Sequence, residues 1–305
     1  MDLSGKKSSS IEKNENIVGY VFLFPILINF IIFMAFPIIF SLILAFSHWE
    51  FMQGINLSAM KFTGMQNFVG IMKDNWFSSS MKNTLIFAVS TVPVGISIGL
   101  VLAVLINKYV FCQNFFKISL FLPYISSAVA SAVVWSVVLH PSFGPVNEFL
   151  KSIGIQNPPK WFADLKWALP SVIAFSIWQQ LGYIILVYMA GLKGVPADLY
   201  EAAEIDGAGE VRKFFVITLP MVSPTTFFLF IIQLIGSFKV FDVVSALTDG
   251  GPGTSTTVIA YYIYRAAFKY YEMGKASAAA WAMFIIIFAI TLFQWNQQKK
   301  WVSYS

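Results

Sequence analysis

The sequence has little of what soluble proteins and most enzymes depend on. Only 11% of its 305 residues are charged, whereas soluble domains average about 25%. It has one cysteine, Cys112, which excludes an intramolecular disulfide. Its two histidines, His48 and His140, give little support to imidazole-based catalysis. A soluble globular domain, a disulfide-rich scaffold and a histidine-dependent enzyme are therefore disfavoured.

Motifs that carry enzymatic chemistry are missing as well. The chain contains no phosphate-binding GxxxxGK[ST] loop, no HExxH or paired-cysteine metal site and no GxSxG nucleophile turn. We therefore expect no catalytic residue, no metal site, no cofactor bound by this chain and no ATP hydrolysis through such a loop. The net charge of +5 is attributed to Lys and Arg beside membrane segments, so nucleic acid is not an expected partner.

Long apolar runs take the place of these features. Hydrophobic residues make up 57% of the chain, and several runs exceed the roughly 18 apolar residues that indicate a membrane-spanning helix. The strand-length alternation typical of a membrane barrel is missing. The predicted fold is an all-α polytopic protein of a lipid bilayer. Its six predicted spans are residues 17–46, 83–106, 118–139, 167–192, 221–247 and 276–295.

Polar tails, residues 1–16 and 296–305, flank this six-span domain, which covers residues 17–295. No small-residue cleavage site follows the first apolar run, so we expect that run to be retained rather than removed as a signal peptide. Six spans place both termini and the polar segment 193–220 on one side of the membrane. Because Lys and Arg divide evenly between the two sides, the positive-inside rule only weakly favours a cytoplasmic position for that side.

Residues 193–220 form the most polar interruption between two spans. Pro196 suits the first turn of a helix, Gly207 suits its C-terminal cap, and a second helix is predicted over residues 210–217, before Pro220. The first helix has one apolar and partly small face, made by Leu199, Ala202 and Ala203 with Ile205 as a further candidate. The pattern predicts a helix–turn–helix on the membrane surface, which is either an ordinary solvated loop or a docking surface for another protein.

A longer pattern within this segment resembles the signature of permease subunits of ABC importers. That signature is Glu-Ala-Ala, three residues, Gly, nine residues, Ile, one residue and Leu-Pro, and EAAEIDGAGEVRKFFVITLP satisfies every position. The matching residues are Glu201, Ala202, Ala203, Gly207, Ile217, Leu219 and Pro220, and Asp206 also fits. The resemblance implies the ABC importer type I permease fold, with residues 193–220 as a cytoplasmic coupling loop.

Four other segments resemble elements of the carbohydrate branch of these permeases, on its maltose-like side. They are FTGMQNF at 62–68, KNT at 82–84, FGPVN at 143–147 and LTDGGPG at 247–253. Together with the coupling signature they cover most of the chain after Phe22. The resemblance therefore implies the uptake of a sugar, either a monosaccharide or an oligosaccharide.

The family resemblance also implies an assembly. It implies a second homologous permease, two copies of an ABC ATPase that binds ATP and Mg²⁺, and an extracytoplasmic sugar-binding protein. Glu201 would make polar contacts in a cleft of the ATPase, Ala202 and Ala203 would allow close approach, and Gly207 would make the turn. Both termini would be cytoplasmic, and the chain would lie in the cytoplasmic, or inner, membrane of a bacterium or archaeon.

Polar and aromatic residues within two predicted spans are the candidates for contact with the solute. Sugar sites combine aromatic rings with amide, hydroxyl and carboxylate groups, and polar groups inside a span are costly unless they face a cavity or a neighbour. The candidates are Trp178, Gln179, Gln180, Tyr183, Gln233, Ser237 and Asp242. Gln233 and Ser237, one helical turn apart, are the favoured pair. For each residue, hydrogen bonding between helices is the alternative, and Lys239 and Asp242 could simply pair with each other.

Other classes of transporter fit the composition too. An ABC permease for a non-sugar solute such as glycerol phosphate, phosphate or a peptide is the first alternative, and one for phosphate or a peptide would share the coupling signature but not the LTDGGPG element. A secondary transporter that works without ATP would need no coupling signature and would more often show internal repeats, of which none is visible.

Overall fold

The structure, a computed structural model, describes residues 5–49 and 60–301. Parts of the two predicted tails, residues 1–4 and 302–305, and residues 50–59 of the loop after the first span lie outside the described residues. Helices dominate the rest. The first seven are α1 (Gly5–Phe30), α2 (Phe36–Ala45), α3 (Gln66–Lys73), α4 (Asn75–Tyr109), α5 (Gln113–Ile125), α6 (Ala128–Val138) and α7 (Pro145–Ser152).

The second half of the chain is helical in the same way. Its helices are α8 (Ala168–Leu192), α9 (Ala197–Ile205), α10 (Glu210–Lys213), α11 (Leu219–Met221), α12 (Ser223–Phe238), α13 (Asp242–Leu247), α14 (Ile259–Phe268) and α15 (Met273–Trp301). A π-helical turn, Ile31–Ala35, joins α1 to α2, and a second one, Phe214–Thr218, joins α10 to α11. Two short strands, β1 (Ser47–His48) and β2 (Lys61–Phe62), pair antiparallel with Ser47 opposite Phe62.

Four helical stretches are long and apolar enough to cross a bilayer: Val18–Ala45, Asn75–Tyr109, Ala168–Leu192 and Met273–Gln298. Two bent pairs of helices bring the number of spans to six if each pair is counted as one span. The helices α5 and α6 meet at 97°, and the helical stretch Glu210–Met221 meets α12 at 66°. The predicted fourth span agrees with α8 to within one residue, whereas the helices that contain the first, second and sixth spans run beyond the predicted limits.

Two of the predicted spans are wrong as single helices. The span predicted over 118–139 breaks after Ile125, where the Ser126 hydroxyl bonds to the Leu122 carbonyl and the Ser127 hydroxyl caps the Ala130 amide. Serine hydroxyls offer the backbone these alternatives to helical bonding, so the break has a local cause. The span predicted over 221–247 ends at Phe238, and residues 242–247 form the separate helix α13.

The largest core cluster lies between α4, α8 and α12. It joins Ile96 and Leu100 of α4 to Ile184 and Tyr188 of α8 and to Leu229 of α12. Glycine allows the helices to approach closely here. A Cβ on Gly99 would lie 2.4 Å from Ile184 Cγ2, and one on Gly95 would lie 3.3 Å from Ile184 Cδ1.

The first span contributes little to this core. None of the residues from 18 to 43 is buried within the chain, although most of them are large and apolar. A helix that is apolar all round requires lipid or another subunit against it.

Two of the sugar-permease elements fasten one end of the helix bundle. The Asn67 amide donates to the carbonyls of Ala45 and Ser47, at 3.0 and 2.8 Å, and so closes the end of α2. The Asn83 amide donates to the carbonyls of Thr254 and Thr257, at 2.8 and 3.0 Å. The second element therefore holds the segment that follows the LTDGGPG element against α4.

Candidate functional site

The candidate coupling helix is α9 (Ala197–Ile205), and Pro196, expected in its first turn, is the residue that precedes it. Gly207 has φ +75°, the left-handed conformation that favours glycine. The Ala208 amide donates to the Ala203 carbonyl at 2.8 Å, and the Gly207 amide donates to the Glu204 carbonyl at 3.0 Å. These two bonds form a Schellman cap, so the predicted role of Gly207 at the helix end is confirmed.

The exposed and inward faces of α9 contain different residues from those predicted. Glu201 and Ala202 are exposed, and Ile205, one turn further on, is 88% exposed. Ala203 is only half-exposed and turns toward the chain, together with Tyr200. The two alanines of the signature therefore lie on different faces, because consecutive residues of a helix are about 100° apart. Ala202 belongs to the outward face, whereas Ala203 lets α9 lie close to its own chain.

The sequence predicted that the second helix of the segment ends before Pro220, and this prediction is wrong. The chain stays helical from Glu210 to Met221 and bends only at Val222. The π-helical turn explains how the proline is accommodated. Its last bond joins the Leu219 amide to the Phe214 carbonyl, five residues back, so the ring of Pro220 meets a widened turn instead of a tight α-helical one.

The other signature residues lie close to these helices. Asp206 is the exposed C-cap residue of α9, and Leu219 is 38% exposed. Ile217 is half-buried and lines a cavity of about 170 Å³ together with Ala203 and Asp206. The residues of the signature thus form one compact unit rather than a linear strip.

Lys213 is the electrostatic centre of this unit, and sequence reasoning missed it. Among the residues whose exposure is described, it is the only buried Lys, Arg, Asp or Glu. Its ammonium lies 2.6 Å from a carboxylate oxygen of Glu204 on α9 and 2.9 Å from one of Glu210. Glu210 also pairs with Lys108 at the end of α4. The hydrogen bond from Lys213 lowers the pKa of the Glu204 carboxyl, so the pair is ionised at neutral pH.

A second contact joins α9 to the same helical stretch. The hydroxyls of Tyr200 and Thr218 are 2.9 Å apart. A cavity of about 460 Å³ opens between α4, α9 and the stretch that follows, and the four charged groups and Tyr200 line it. No sequence motif distinguishes Lys213 from its neighbours. The sequence shows only that it is one of several charged residues that precede an apolar segment.

The favoured solute contacts, Gln233 and Ser237, are both buried on α12. The Ser237 hydroxyl donates to the Leu234 carbonyl of its own helix at 2.7 Å. Gln233 has no hydrogen-bond partner among the described residues, and the same is true of Gln179, which is buried on α8. Hydrogen bonding between helices, the alternative use of these amides, is therefore not found for either glutamine in the described part of the chain.

The aromatic candidates of α8 form two ring pairs with residues of the third span. Tyr183 stacks on Tyr124 with ring centroids 5.0 Å apart, and Trp178, which is 36% exposed, lies edge to face with Trp135 at 5.2 Å. Tyr124 and Trp135 belong to α5 and α6, and neither was among the candidates, which came from the fourth and fifth predicted spans. Gln180, the remaining candidate of this span, is half-buried on α8.

Asp242 does not join this group. The helix α12 ends at Phe238, and Asp242 is the first residue of the next helix, α13. Its carboxylate therefore lies in the first turn of α13, where the helix dipole favours an anion. Asp242 and Lys239 are both exposed, and the described residues contain no ion pair between them. The described residues also contain no group of three His, Cys, Asp or Glu side chains that could hold a metal ion.

Comparison with known proteins matches this arrangement to one family. Residues 68–301 match the family model described as "Binding-protein-dependent transport system inner membrane component". The chain is 34% identical over 303 residues to the probable ABC transporter permease protein YesP of Bacillus subtilis (strain 168), covering 98% of this chain and 96% of the relative. It is 31% identical over 269 residues to the sn-glycerol-3-phosphate transport system permease protein UgpA of Agrobacterium fabrum, covering 85% of this chain and 91% of the relative.

A solved structure shares the fold. It is the crystal structure of a bacterial alginate ABC transporter in complex with an alginate pentasaccharide-bound periplasmic protein. One of its chains superposes on this one with a TM-score of 0.81 at 28% sequence identity, covering 95% of this chain and 96% of that chain.

Proposed function

Because the chain belongs to the family of binding-protein-dependent transport system inner membrane components, the permease subunits of ABC importers, we propose that it imports a sugar, with α9 as the contact to the ATPase. The observation that carries the proposal is α9 itself. Its signature residues Glu201 and Ala202 are exposed, while its inward face is bonded to the stretch that leads into α12. A helix placed in this way can take up movement outside the membrane and pass it to a span.

The assembly follows from this assignment. The family name supports an extracytoplasmic binding protein as solute donor, and two ATPase subunits with ATP and Mg²⁺ would supply the work. The exposed apolar first span supports a second permease as a packing partner beside the lipid. Docking to a cytoplasmic ATPase places residues 193–220 and both termini in the cytoplasm, the side that the charge distribution weakly favours.

The broken third span marks where the solute would pass. Ser126 and Ser127, between α5 and α6, are exposed. Backbone that leaves the helix at membrane depth is tolerated only where it is buried in protein or lines a water-filled cavity. The Tyr124–Tyr183 pair lies beside the break, the Trp135–Trp178 pair lies further along α6, and both offer rings for stacking against a pyranose face.

Side-chain chemistry supports a sugar as the solute. The helices α8 and α12 contain no Lys or Arg, and Lys239 comes only after the end of α12. They offer the amides of Gln179 and Gln233, two residues that are each only 8% exposed and that have no hydrogen-bond partner among the described residues, and these amides can bond to hydroxyl groups. The similarity to the alginate transporter agrees with this proposal.

Glycerol phosphate is the second candidate solute because of the similarity to UgpA. A phosphate ester would be expected to meet cationic side chains in its path, since Arg and Lys are the usual partners of phosphate. The absence of such residues from α8 and α12 favours the sugar.

Uptake by the complete importer distinguishes these two solutes. The chain would be expressed with the second permease, the ATPase and the binding protein encoded beside it, in a host that lacks uptake of both solutes. We expect ATP-dependent accumulation of at least one labelled mono- or oligosaccharide from a panel. An excess of sn-glycerol 3-phosphate of about two orders of magnitude, which is enough to reveal weak sites, should not compete with this accumulation. Accumulation of glycerol phosphate with no sugar uptake would overturn the sugar proposal.

A further inference from the structure

The coupling helix holds both ends of the second π-helical turn. Glu204 on α9 bonds to Lys213, the residue just before the turn, and Tyr200 on α9 bonds to Thr218, the last residue of the turn. Tyr200 and Glu204 are four residues apart, so they lie on the same inward face of the helix. Two polar contacts thus bracket one irregular segment.

These contacts are the main attachment of α9 to the helices that it would move. No residue of α9 is buried, so apolar packing contributes little to holding it in place. Lys213, by contrast, has a side chain only 5% exposed, and its charge is compensated by Glu204 and Glu210. A buried charge that loses a partner is strongly destabilising, which makes this pairing directional and difficult to break.

The bracketed segment is suited to transmit motion. A π-helical turn inserts one extra residue per turn and often marks a site of functional adjustment in a helix. It lies between α10 and the 66° bend that leads into α12. Without a constraint across it, a displacement of α9 could be absorbed in the turn and would not reach α12.

We propose that Tyr200 and Glu204 form a clamp on Lys213 and Thr218 that makes α9 and the stretch Glu210–Met221 move as one body. The four side chains are positioning residues and touch neither solute nor nucleotide. Glu210 and Lys108 extend the same network to the end of α4. The clamp rests on the proposed function, because it assigns to residues outside the docking face the task of passing on the movement of α9.

Hydrogen–deuterium exchange of the assembled importer, with and without Mg²⁺ and a non-hydrolysable ATP analogue, tests the clamp without knowledge of the solute. In the unmodified importer we expect the nucleotide to change the exchange of residues 197–205 and also of residues 223–238. In Glu204→Gln and in Lys213→Met, the change at 197–205 should persist, because the docking face is intact, and the change at 223–238 should be mostly lost, because the charged Lys213–Glu204 contact is the stronger of the two. Tyr200→Phe should lose part of it, since one of the two contacts remains.

The controls separate transmission from folding. Arg212→Met removes the neighbouring exposed cation and should leave both changes in place, and Lys213→Arg should retain most of the response at 223–238. If Lys213→Met does not assemble into the importer, the exchange of residues 223–238 in Glu204→Gln tests the clamp instead. A full nucleotide response at 223–238 in both single variants, Glu204→Gln and Tyr200→Phe, would overturn the clamp. No nucleotide response at 197–205 in the unmodified importer would instead contradict the assignment of α9 as the ATPase contact.

Discussion

Replacing Gly207 by proline is expected to abolish uptake while leaving the membrane helices folded. Gly207 has φ +75°, and a proline ring fixes φ near −65°, so the Schellman cap of α9 cannot form. A Cβ at this position would meet no atom within 4 Å, so the effect arises from the backbone and not from a steric clash. Because α9 would leave its position while the spans keep their packing, we expect a loss of uptake of roughly a hundredfold, within the range of typical coupling free energies.

Two further variants make this result specific. Gly209→Pro is the matched control, because Gly209 already has φ −70° and also has open space around it. Glu201→Lys alters the exposed face of α9 without touching the backbone and should uncouple transport as well. ATP-driven uptake at equal membrane expression is the measurement. Normal uptake by both Gly207→Pro and Glu201→Lys would show that α9 is not the coupling element.

Gly182→Ala is expected to prevent the third span from packing on the fourth. A Cβ on Gly182 of α8 would lie 2.0 Å from the Leu120 carbonyl oxygen and 2.7 Å from the Phe121 Cα, both backbone atoms of α5. Backbone cannot move aside as a side chain can, so the two helices must separate. We expect a destabilisation at the upper end of the roughly 1–3 kcal/mol that overpacking costs, or more. It should appear as a lower melting temperature and a lower yield of monodisperse protein in detergent.

Gly95→Ala is the matched control for this packing prediction. Its Cβ would meet only the flexible end of Ile184, at 3.3 Å, so the melting temperature should change little. Equal melting temperatures for Gly182→Ala and Gly95→Ala would contradict the close approach of α5 and α8.

The parts of the fold that could be predicted are those set by long, local patterns. The apolar run of α8 gave its limits to within one residue, and the Pro196 and Gly207 signals gave both ends of α9. The family membership followed from the spacing of Glu201, Gly207 and Leu219-Pro220, which matches the permease signature at every position.

The parts that could not be predicted depend on competition between nearly equal local structures or on distant contacts. The break at Ser126–Ser127 lies inside an apolar run, where two serine hydroxyls decide between helix and turn. Pro220 reads as a helix end in a sequence, but a π-helical turn accommodates it. The role of Lys213 depends on Glu204, nine residues away across a turn, and the network reaches Lys108, 102 residues from Glu210. No periodicity encodes such pairs.

The central claim is that the outward face of α9 contacts the ATPase, and site-specific photo-crosslinking tests it most directly. A benzoylphenylalanine would replace Ile205, which is 88% exposed and lies one turn from Glu201 and Ala202, in the complete importer. Phe143, which is 62% exposed in the segment before α7, is the control position. We predict an ATPase adduct from position 205 and none from position 143. No ATPase adduct from position 205, or equal amounts from both positions, would contradict the claim.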